Sequence, residues 1–174
     1  MVLLVVDMQK GLADSALYAY DRFMEKIVRL IGSARKNKVE VIYMQHDAGP
    51  DSGLSVGDED FAIADAVKPE ADEKVFVKTI NSCFGNRDFR EYMETQADKR
   101  LMIIGLQTDY CIDATVKSAF ERGYRVIVPE GTNSTFDNDF MTGEMTYRYY
   151  NEEIWPDCFA QCVPFDEALA MIGE

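Results

Sequence analysis

The chain has 174 residues, 47% of them hydrophobic, and a formal net charge of -13 at pH 7. Its length and apolar content predict one globular domain over residues 1–174, and its charge argues against binding to nucleic acid or to an anionic membrane surface. No apolar run reaches the ~20 residues of a membrane span, there is no basic leader, and the four cysteines form no zinc-type pairs, so we expect a cytoplasmic protein with reduced thiols.

Short apolar runs alternate with segments of helical periodicity along the chain. Residues 2–6 are apolar without alternation, which predicts a strand covered on both faces. Residues 48–57 and 129–139 are rich in loop-forming residues, and residues 58–73 form at most a short helix. The predicted strands are 2–6, 39–44, 74–77, 101–104, 125–128 and 158–163, and the predicted helices are 16–36, 88–96, 111–122, 140–151 and 165–172. This order predicts a doubly wound α/β fold with right-handed crossovers.

Cys111 stands at the end of the most informative stretch, residues 101–120. The predicted strand leads through Gly105 and a polar turn to this cysteine, which begins the predicted helix. A thiol there faces the crevice beyond the carboxyl ends of the strands, and the helix dipole favours the thiolate. Cys111 is therefore a candidate nucleophile. The alternative is that it is a small buried residue, as most free cysteines are.

Two further ionisable residues follow predicted strands. Asp7 comes after the first strand and Lys78 after the third. Alone, Asp7 is most simply a helix cap. Because the carboxyl ends of parallel strands share one edge of a sheet, Asp7, Lys78 and Cys111 are predicted to meet in one crevice. A carboxylate that takes the thiol proton and an ammonium that holds the anions would activate the nucleophile.

Three motifs in this order and spacing carry a resemblance to a known family. They are VVDMQKG at residues 5–11, VKTINSCF at residues 77–84 and GLQTDYCIDAT at residues 105–115. Over essentially its whole length the chain resembles the isochorismatase-like cysteine hydrolases. The resemblance implies a three-layer α/β/α fold in which a six-stranded parallel sheet carries helices on both faces.

The resemblance also implies roles for particular residues. Asp7, Lys78 and Cys111 would form a catalytic triad, and a cis peptide between Leu106 and Gln107 would turn the Gln107 N–H toward the substrate. That N–H and the N–H of Cys111 would form an oxyanion hole. The chemistry would be hydrolysis of an amide, carbamoyl or ureido C–N bond through a thioester, without a cofactor. Lys78 would lower the pKa of Cys111 and keep Asp7 ionised.

Neighbours of these residues along the chain are candidates for binding a small-molecule substrate. By sequence proximity we include Gln9, Leu12, Phe84 and Tyr110, although aromatic residues after strands are more often packing.

The choice of substrate depends on what this sequence lacks. Family members that hydrolyse nicotinamide carry an aspartate and several histidines for a metal, whereas this chain has one histidine, His46. We therefore expect no metal and interpret His46 and Asp47 as polar residues at a strand end. Isochorismatases proper lack the cysteine, so Cys111 favours amide or ureido hydrolysis.

Two other functions stay open: a thiol redox protein in which Cys111 has a resolving partner, and a non-catalytic ligand-binding protein on the same fold. Against the first, Cys158 and Cys162 are predicted to be buried in the last strand. Cys83 should be at most partly accessible, leaving Cys111 as the reactive thiol. Aromatic residues near the C-terminus and the resemblance together predict a homo-oligomer, a dimer or larger. These aromatic residues are Tyr147, Tyr149, Tyr150 and Trp155.

Overall fold

A parallel sheet organises the protein, whose computed structural model describes residues 1–173. The sheet contains seven strands in the described chain, in the order β3-β2-β1-β4-β5-β7, with the short β6 beside β4. Every pair in it is parallel. The strands are β1 (Val2–Val6), β2 (Glu40–His46), β3 (Lys74–Lys78), β4 (Arg100–Leu106), β5 (Arg125–Pro129), β6 (Asn133–Ser134) and β7 (Gln161–Val163).

Five α-helices occur within residues 1–173, near the predicted positions. They are α1 (Tyr20–Lys36), α2 (Arg87–Glu94), α3 (Asp113–Glu121), α4 (Gly143–Arg148) and α5 (Phe165–Gly173). The segments Thr108–Ile112 and Tyr149–Ile154 are π-helical turns, and Asp65–Val67 and Cys83–Gly85 are short 3-10 helices. The helix predicted to begin at residue 140 begins at Gly143, because the Thr142 side chain accepts a hydrogen bond from Met145 N and caps the helix there.

The two faces of the sheet bury separate cores, as the period-two alternation of side chains in a strand requires. On one face, Leu3 and Val5 pack in a cluster with residues of α1 and α5. On the other, Val2, Leu4 and Val6 pack in a cluster with residues of α2 and α3. Every residue of β1 is buried, which explains why its sequence shows no polar alternation. The predicted α/β/α layering is confirmed.

The last predicted strand is shorter than its sequence suggested. β7 covers Gln161–Val163 alone, at the edge of the sheet beside β5. Residues 158–160 instead turn around Trp155, whose carbonyl accepts hydrogen bonds from Phe159 N and Ala160 N at 2.9 and 3.0 Å. The prediction that Cys158 and Cys162 are buried is therefore wrong, since Cys158 is exposed and Cys162 half-buried.

The aromatic residues near the C-terminus divide between the core and the surface. Trp155 is fully buried, and its Nε1 donates to Asp113 Oδ1 at 2.9 Å, whereas Tyr149 is 48% exposed. Trp155 is thus core material. Association into a homo-oligomer stays a prediction. None of the described helices combines the length and apolar character needed to cross a membrane.

Candidate active site

A crevice opens between β1 and β4, where the order in which the chain adds strands to the sheet reverses. From the central pair β1 and β4, the chain runs outward through β2 and β3 on one side and through β5 and β7 on the other. The carboxyl ends of strands that diverge in this way leave space for a ligand between them. Asp7 follows β1, Lys78 ends β3, and Cys111 follows β4, and their side chains meet in this crevice.

The Lys78 ammonium is the centre of the cluster. Its Nζ donates to Asp7 Oδ2 at 2.7 Å and to Cys111 Sγ at 3.2 Å, and lies 3.1 Å from His46 Nδ1. An ammonium has three protons, so these three contacts use all of its donors. Lys78 and Asp7 are 2% and 1% exposed, which removes the competition of water for this ion pair.

The Asp7 carboxylate has one oxygen occupied and one available. Oδ2 accepts from Lys78, whereas the buried Oδ1 has no hydrogen-bond partner within residues 1–173. A carboxylate oxygen of Asp7 and Cys111 Sγ lie within 4.8 Å of each other. A buried acceptor without a donor is unfavourable. Taking up the neighbouring thiol proton would satisfy it.

The electrostatics contradict one expectation from the sequence. Burial raises the pKa of the Cys111 thiol, and the Asp7 charge raises it further. Lys78 lowers this pKa, as expected, but burial and Asp7 outweigh it, so the predicted net lowering is wrong. Burial also raises the pKa of Asp7, although Lys78 opposes this. For Lys78, burial lowers the pKa but is outweighed by its neighbours, the Asp7 carboxylate first, which raise the pKa and keep the ammonium charged. The resting sulfur is therefore a thiol.

The turn after β4 brings the thiol close to β1. Gly105 has φ +122°, and a Cβ there would lie 2.0 Å from Val6 O, so no larger residue fits. The Leu106–Gln107 peptide bond is cis, the geometry that the resemblance implies. Cys111 then lies in the π-helical turn Thr108–Ile112, and α3 begins two residues later than predicted.

Buried polar side chains that sequence reasoning missed hold this turn in place. Thr108 Oγ1 donates to Asn133 Oδ1 at 2.7 Å, and Asn133 exchanges side-chain hydrogen bonds with Asn151 at 2.9 and 3.0 Å. Thr135 Oγ1 donates to Asp109 Oδ1 at 2.6 Å. A satisfied buried network fixes one backbone arrangement. The polar composition of the 129–139 loop was the available signal.

A cavity of about 240 Å³ leads to the thiol. Two of the four residues predicted to bind substrate, Leu12 and Tyr110, line this cavity. Three other lining residues, His46, Leu54 and Asn81, were not among the predicted site residues. Its lining consists of Asp7, Leu12, His46, Leu54, Asn81, Gln107, Tyr110 and Cys111. Asn81 Oδ1 lies 3.8 Å from Cys111 Sγ, and its position three residues after Lys78 was the signal that could have found it.

Gln9 and Phe84 lie behind the cavity wall. Gln9 is fully buried, and its side-chain amide pairs with the backbone of His46, accepting from His46 N at 2.7 Å and donating to His46 O at 3.0 Å. Phe84 packs in the core against Phe89 and Tyr124. The structure thus places these two residues where they support the site from outside its lining.

The neighbours His46 and Asp47 have different surroundings. His46 contacts Lys78 and so belongs to the cluster around the thiol. The interpretation of His46 as a polar residue at a strand end missed this contact. Asp47 Oδ1 accepts from Gly49 N at 2.9 Å and from Ser55 Oγ at 2.8 Å, so it holds the loop that follows β2.

Three potential metal ligands converge in this cluster: Asp7, His46 and Cys111. Carboxylate, imidazole and thiolate form a donor set suited to zinc, at about 2.0–2.3 Å. The Lys78 ammonium, however, contacts all three of these side chains. A metal bound by the three would meet a positive charge at close range, so the donors fit a metal while their surroundings oppose it.

Fold and crevice together define a class: a doubly wound α/β protein whose ligand crevice holds a buried thiol, an ammonium and a carboxylate in contact. The family model of the isochorismatase domain matches residues 1–149. The protein therefore belongs to the isochorismatase family, which confirms the resemblance of its motifs.

Several known proteins are similar to this chain. The isochorismatase family protein YrdC of Bacillus subtilis (strain 168) is 28% identical over 137 residues, 77% of this chain and 73% of that protein. Streptothricin hydrolase of Streptomyces noursei is 26% identical over 78% of this chain and 50% of its own length. Ureidoacrylate amidohydrolase RutB of Methylorubrum extorquens (strain ATCC 14718 / DSM 1338 / JCM 2805 / NCIMB 9133 / AM1) is 26% identical over 73% of this chain and 66% of its own length. Hydrolases are thus among its relatives.

A solved structure of the family has the same fold. The crystal structure of an isochorismatase-family protein from Chromobacterium violaceum ATCC 12472 superposes with a TM-score of 0.91 over 99% of this chain and 93% of that chain, at 22% identity.

Proposed function

We propose that this protein is a cysteine-dependent hydrolase that cleaves a C–N bond of a small amide, carbamoyl or ureido compound through a thioester. The observation that carries the proposal is the contact of Lys78 Nζ with both Asp7 and Cys111, at 2.7 and 3.2 Å, beside an Asp7 oxygen that lacks a donor within residues 1–173. These are a nucleophile, its base and a cation that holds them together.

The first half of the reaction forms the thioester. Asp7 Oδ1 takes the Cys111 proton as the sulfur attacks the substrate carbonyl carbon. The backbone N–H groups of Gln107 and Cys111 stabilise the oxyanion of the tetrahedral intermediate. As this intermediate collapses, the C–N bond breaks and Asp7 returns the proton to the leaving nitrogen, which departs as ammonia or an amine.

The second half hydrolyses the thioester. Asp7, again ionised, takes a proton from a water molecule that attacks the thioester carbonyl. The C–S bond breaks, the acid is released, and the proton on Asp7 returns to the sulfur. Each turnover consumes one water and one substrate and leaves the thiol as it began.

Lys78 supports these steps by its charge. Because burial raises the pKa of Cys111, the thiolate forms as its proton moves to Asp7 and does not accumulate beforehand. An ammonium 3.2 Å from the sulfur stabilises the negative charge that develops there. Its contact with Asp7 keeps that carboxylate available as a base.

The cavity and the relatives support a small substrate with a C–N bond. A space of about 240 Å³ fits a compact molecule, with Leu12, Leu54 and Tyr110 as its less polar walls. Streptothricin hydrolase and ureidoacrylate amidohydrolase are the named activities among the relatives. The redox alternative has less support, because Cys158 and Cys162 lie at the β7 edge, with β5 between that strand and β4.

The decisive experiment is an ammonia-release screen over small amides, carbamoyl compounds and ureido acids. We expect the protein to release ammonia from at least one compound and Cys111→Ala to release none while remaining folded. Cys158→Ala is the matched control, since it removes an exposed thiol outside the crevice, and should retain full activity. Brief reaction and mass spectrometry should find the acyl group on Cys111. Turnover by folded Cys111→Ala would overturn the proposal.

A further inference from the structure

His46 is the member of the cluster to which the proposed reaction gives no task. It ends β2, it lines the cavity, and its Nδ1 lies 3.1 Å from Lys78 Nζ. The Gln9 side chain clamps its backbone through two hydrogen bonds, of 2.7 and 3.0 Å. The buried Gln9 side chain therefore fixes the His46 backbone, from which the imidazole side chain extends.

The contact with Lys78 determines the tautomer of the ring. A charged ammonium has no lone pair, so it donates to Nδ1, and that nitrogen must carry no proton. An imidazole whose Nδ1 accepts a hydrogen bond from an ammonium is not the doubly protonated imidazolium, so this ring is neutral. A neutral imidazole has one N–H. That N–H is therefore on Nε2.

The Nε2–H group has no acceptor in the protein. Among residues 1–173, Nδ1 makes the side-chain contact of this ring and Nε2 donates to no other residue. A ring nitrogen of His46 and Cys111 Sγ lie within 4.8 Å of each other, at the same cavity. His46 and Cys111 line the same cavity, so a free Nε2–H on His46 is available to a molecule bound there.

We infer that His46 is a substrate-binding residue, whose Nε2–H donates a hydrogen bond to an acceptor atom of the molecule that Cys111 attacks. The inference rests on the proposed function. Since the backbone N–H groups of Gln107 and Cys111 serve the reacting oxygen, His46 serves a different atom. It favours amides that carry a second oxygen acceptor close to the scissile carbonyl. Asn81 is a further polar residue of the same cavity.

The tautomer can be read directly, because the chain contains one histidine. Untagged protein labelled with ¹⁵N-histidine will show one pair of ring nitrogens in long-range ¹H–¹⁵N spectra. At pH 7 we expect Nε2 to carry the proton and Nδ1 to show the shift of an acceptor. In Lys78→Met, the Nδ1 signal should move toward that of a free acceptor. An Nδ1–H tautomer or an imidazolium at pH 7 would overturn the inference.

Alkylation of Cys111 with iodoacetamide, verified by peptide mass, then places a carboxamide oxygen in the cavity. The Nε2 proton should shift on alkylation, and an unchanged Nε2 signal would count against the inference. Failure of Cys111 to react would instead contradict the proposed nucleophile. The tautomer is measured in untreated protein, so the two results are distinguishable.

Two variants distinguish a hydrogen bond from His46 Nε2–H to the substrate from an indirect effect of His46 through its contact with Lys78. His46→Asn keeps a polar atom near the Nδ1 position but has none at the Nε2 position, whereas His46→Gln reaches that position with an N–H. The matched ligands are methoxyacetamide and butanamide, which differ by an ether oxygen in place of a methylene. Binding is measured as protection of Cys111 from iodoacetamide, so it does not require turnover.

We expect His46→Asn to weaken methoxyacetamide binding about tenfold and to leave butanamide binding unchanged. In His46→Gln, much of the lost methoxyacetamide binding should return. For any amide that the protein hydrolyses and that carries the second acceptor, the loss should fall on KM more than on kcat. Equal weakening of both ligands would mean that His46 acts through Lys78 alone, and would overturn its role as a donor to the substrate.

Discussion

A cavity at the edge of the sheet and the crevice beside β1 and β4 both contain cysteines, and the larger of these two lacks a reactive cluster. At the sheet edge, a cavity of about 500 Å³ is lined by Cys158, which is exposed, and Cys162, which is half-buried. The crevice beside β1 and β4 has about 240 Å³ and a thiol that is only 8% exposed. Judged by its volume and by the exposure of its thiols, the edge cavity would be the better candidate for a reactive site. The charged groups that contact a thiol, however, belong to the crevice.

The difference follows from topology. In the crevice, three strands end close together, so a carboxylate, an ammonium and a thiol from distant parts of the chain meet in a buried site. At the edge, β7 has a partner on one side only, and the charged residues of the cavity lining are exposed. Burial alone raises the pKa of Cys162 to about 11. Convergent strand ends, and not the size of a cavity, therefore bring the charged groups and the thiol together.

Among changes to the groups around the thiol, the largest effect should come from removing the cation of the crevice. Lys78→Met takes away the charge that holds Asp7 and the sulfur, and we expect kcat/KM for any hydrolysed amide to fall about 10²- to 10⁴-fold, the range of a lost acid–base function. Circular dichroism checks the fold, and Cys158→Ser at the edge cavity is the control that should keep full activity. A folded Lys78→Met protein with unchanged turnover would remove Lys78 from the mechanism.

A smaller effect should distinguish the Cys111 and Cys158 thiols, because only the alkylation rate of Cys111 should depend on Asp7. Because the resting Cys111 is a thiol, its alkylation by iodoacetamide at pH 7 uses Asp7 as the base. Asp7→Asn should therefore slow it at least about tenfold, although loss of the Asp7 charge by itself would lower the thiol pKa. Cys158 lies at the edge cavity, whose lining does not include Asp7, and should be labelled at the same rate in both proteins. Peptide mapping of the alkylated sites gives the two rates. Equal slowing at both cysteines would show that the comparison between the cavities is wrong.

The pH dependence of hydrolysis should report Asp7. Burial raises the pKa of Asp7, and this group serves as a base only when it is ionised. Activity is therefore present above that pKa and is lost as the pH falls through it, so the acid limb of kcat/KM should lie above the ~3.9 of an unperturbed aspartate. Rates measured in buffers of constant ionic strength test this. An acid limb at or below the unperturbed value would contradict it.

The smallest effect is expected from chelators. The Lys78 ammonium already contacts Asp7, His46 and Cys111, so a metal is not needed to gather these groups. Dialysis against a strong chelator should leave hydrolase activity within experimental error. Loss of activity that zinc, iron or manganese restores would show that a metal displaces the ammonium, and would make the crevice a metal centre.

Much of this arrangement could be predicted from the sequence. The unbroken apolar run of residues 2–6 and the alternation of strand and helix patterns predict a parallel sheet with covered faces, because such a sheet needs both features. Asp7, Lys78 and Cys111 each follow a predicted strand, and the strand ends of a parallel sheet share one edge. The meeting of these residues was therefore predictable without knowing any distance.

Other features depended on the folded structure. His46 and Asn81 follow their strands as many polar residues do, and only the three-dimensional packing shows that one meets Lys78 and the other lies near the thiol. The exposure of Cys158 depends on a turn around Trp155 that an apolar sequence pattern does not reveal. The raised pKa of Cys111 is the clearest case, because the neighbouring Lys78 predicted the opposite direction. Sequence order supplies the charges, but the loss of water around them, which here outweighs the attraction of the ammonium, exists only in the tertiary structure.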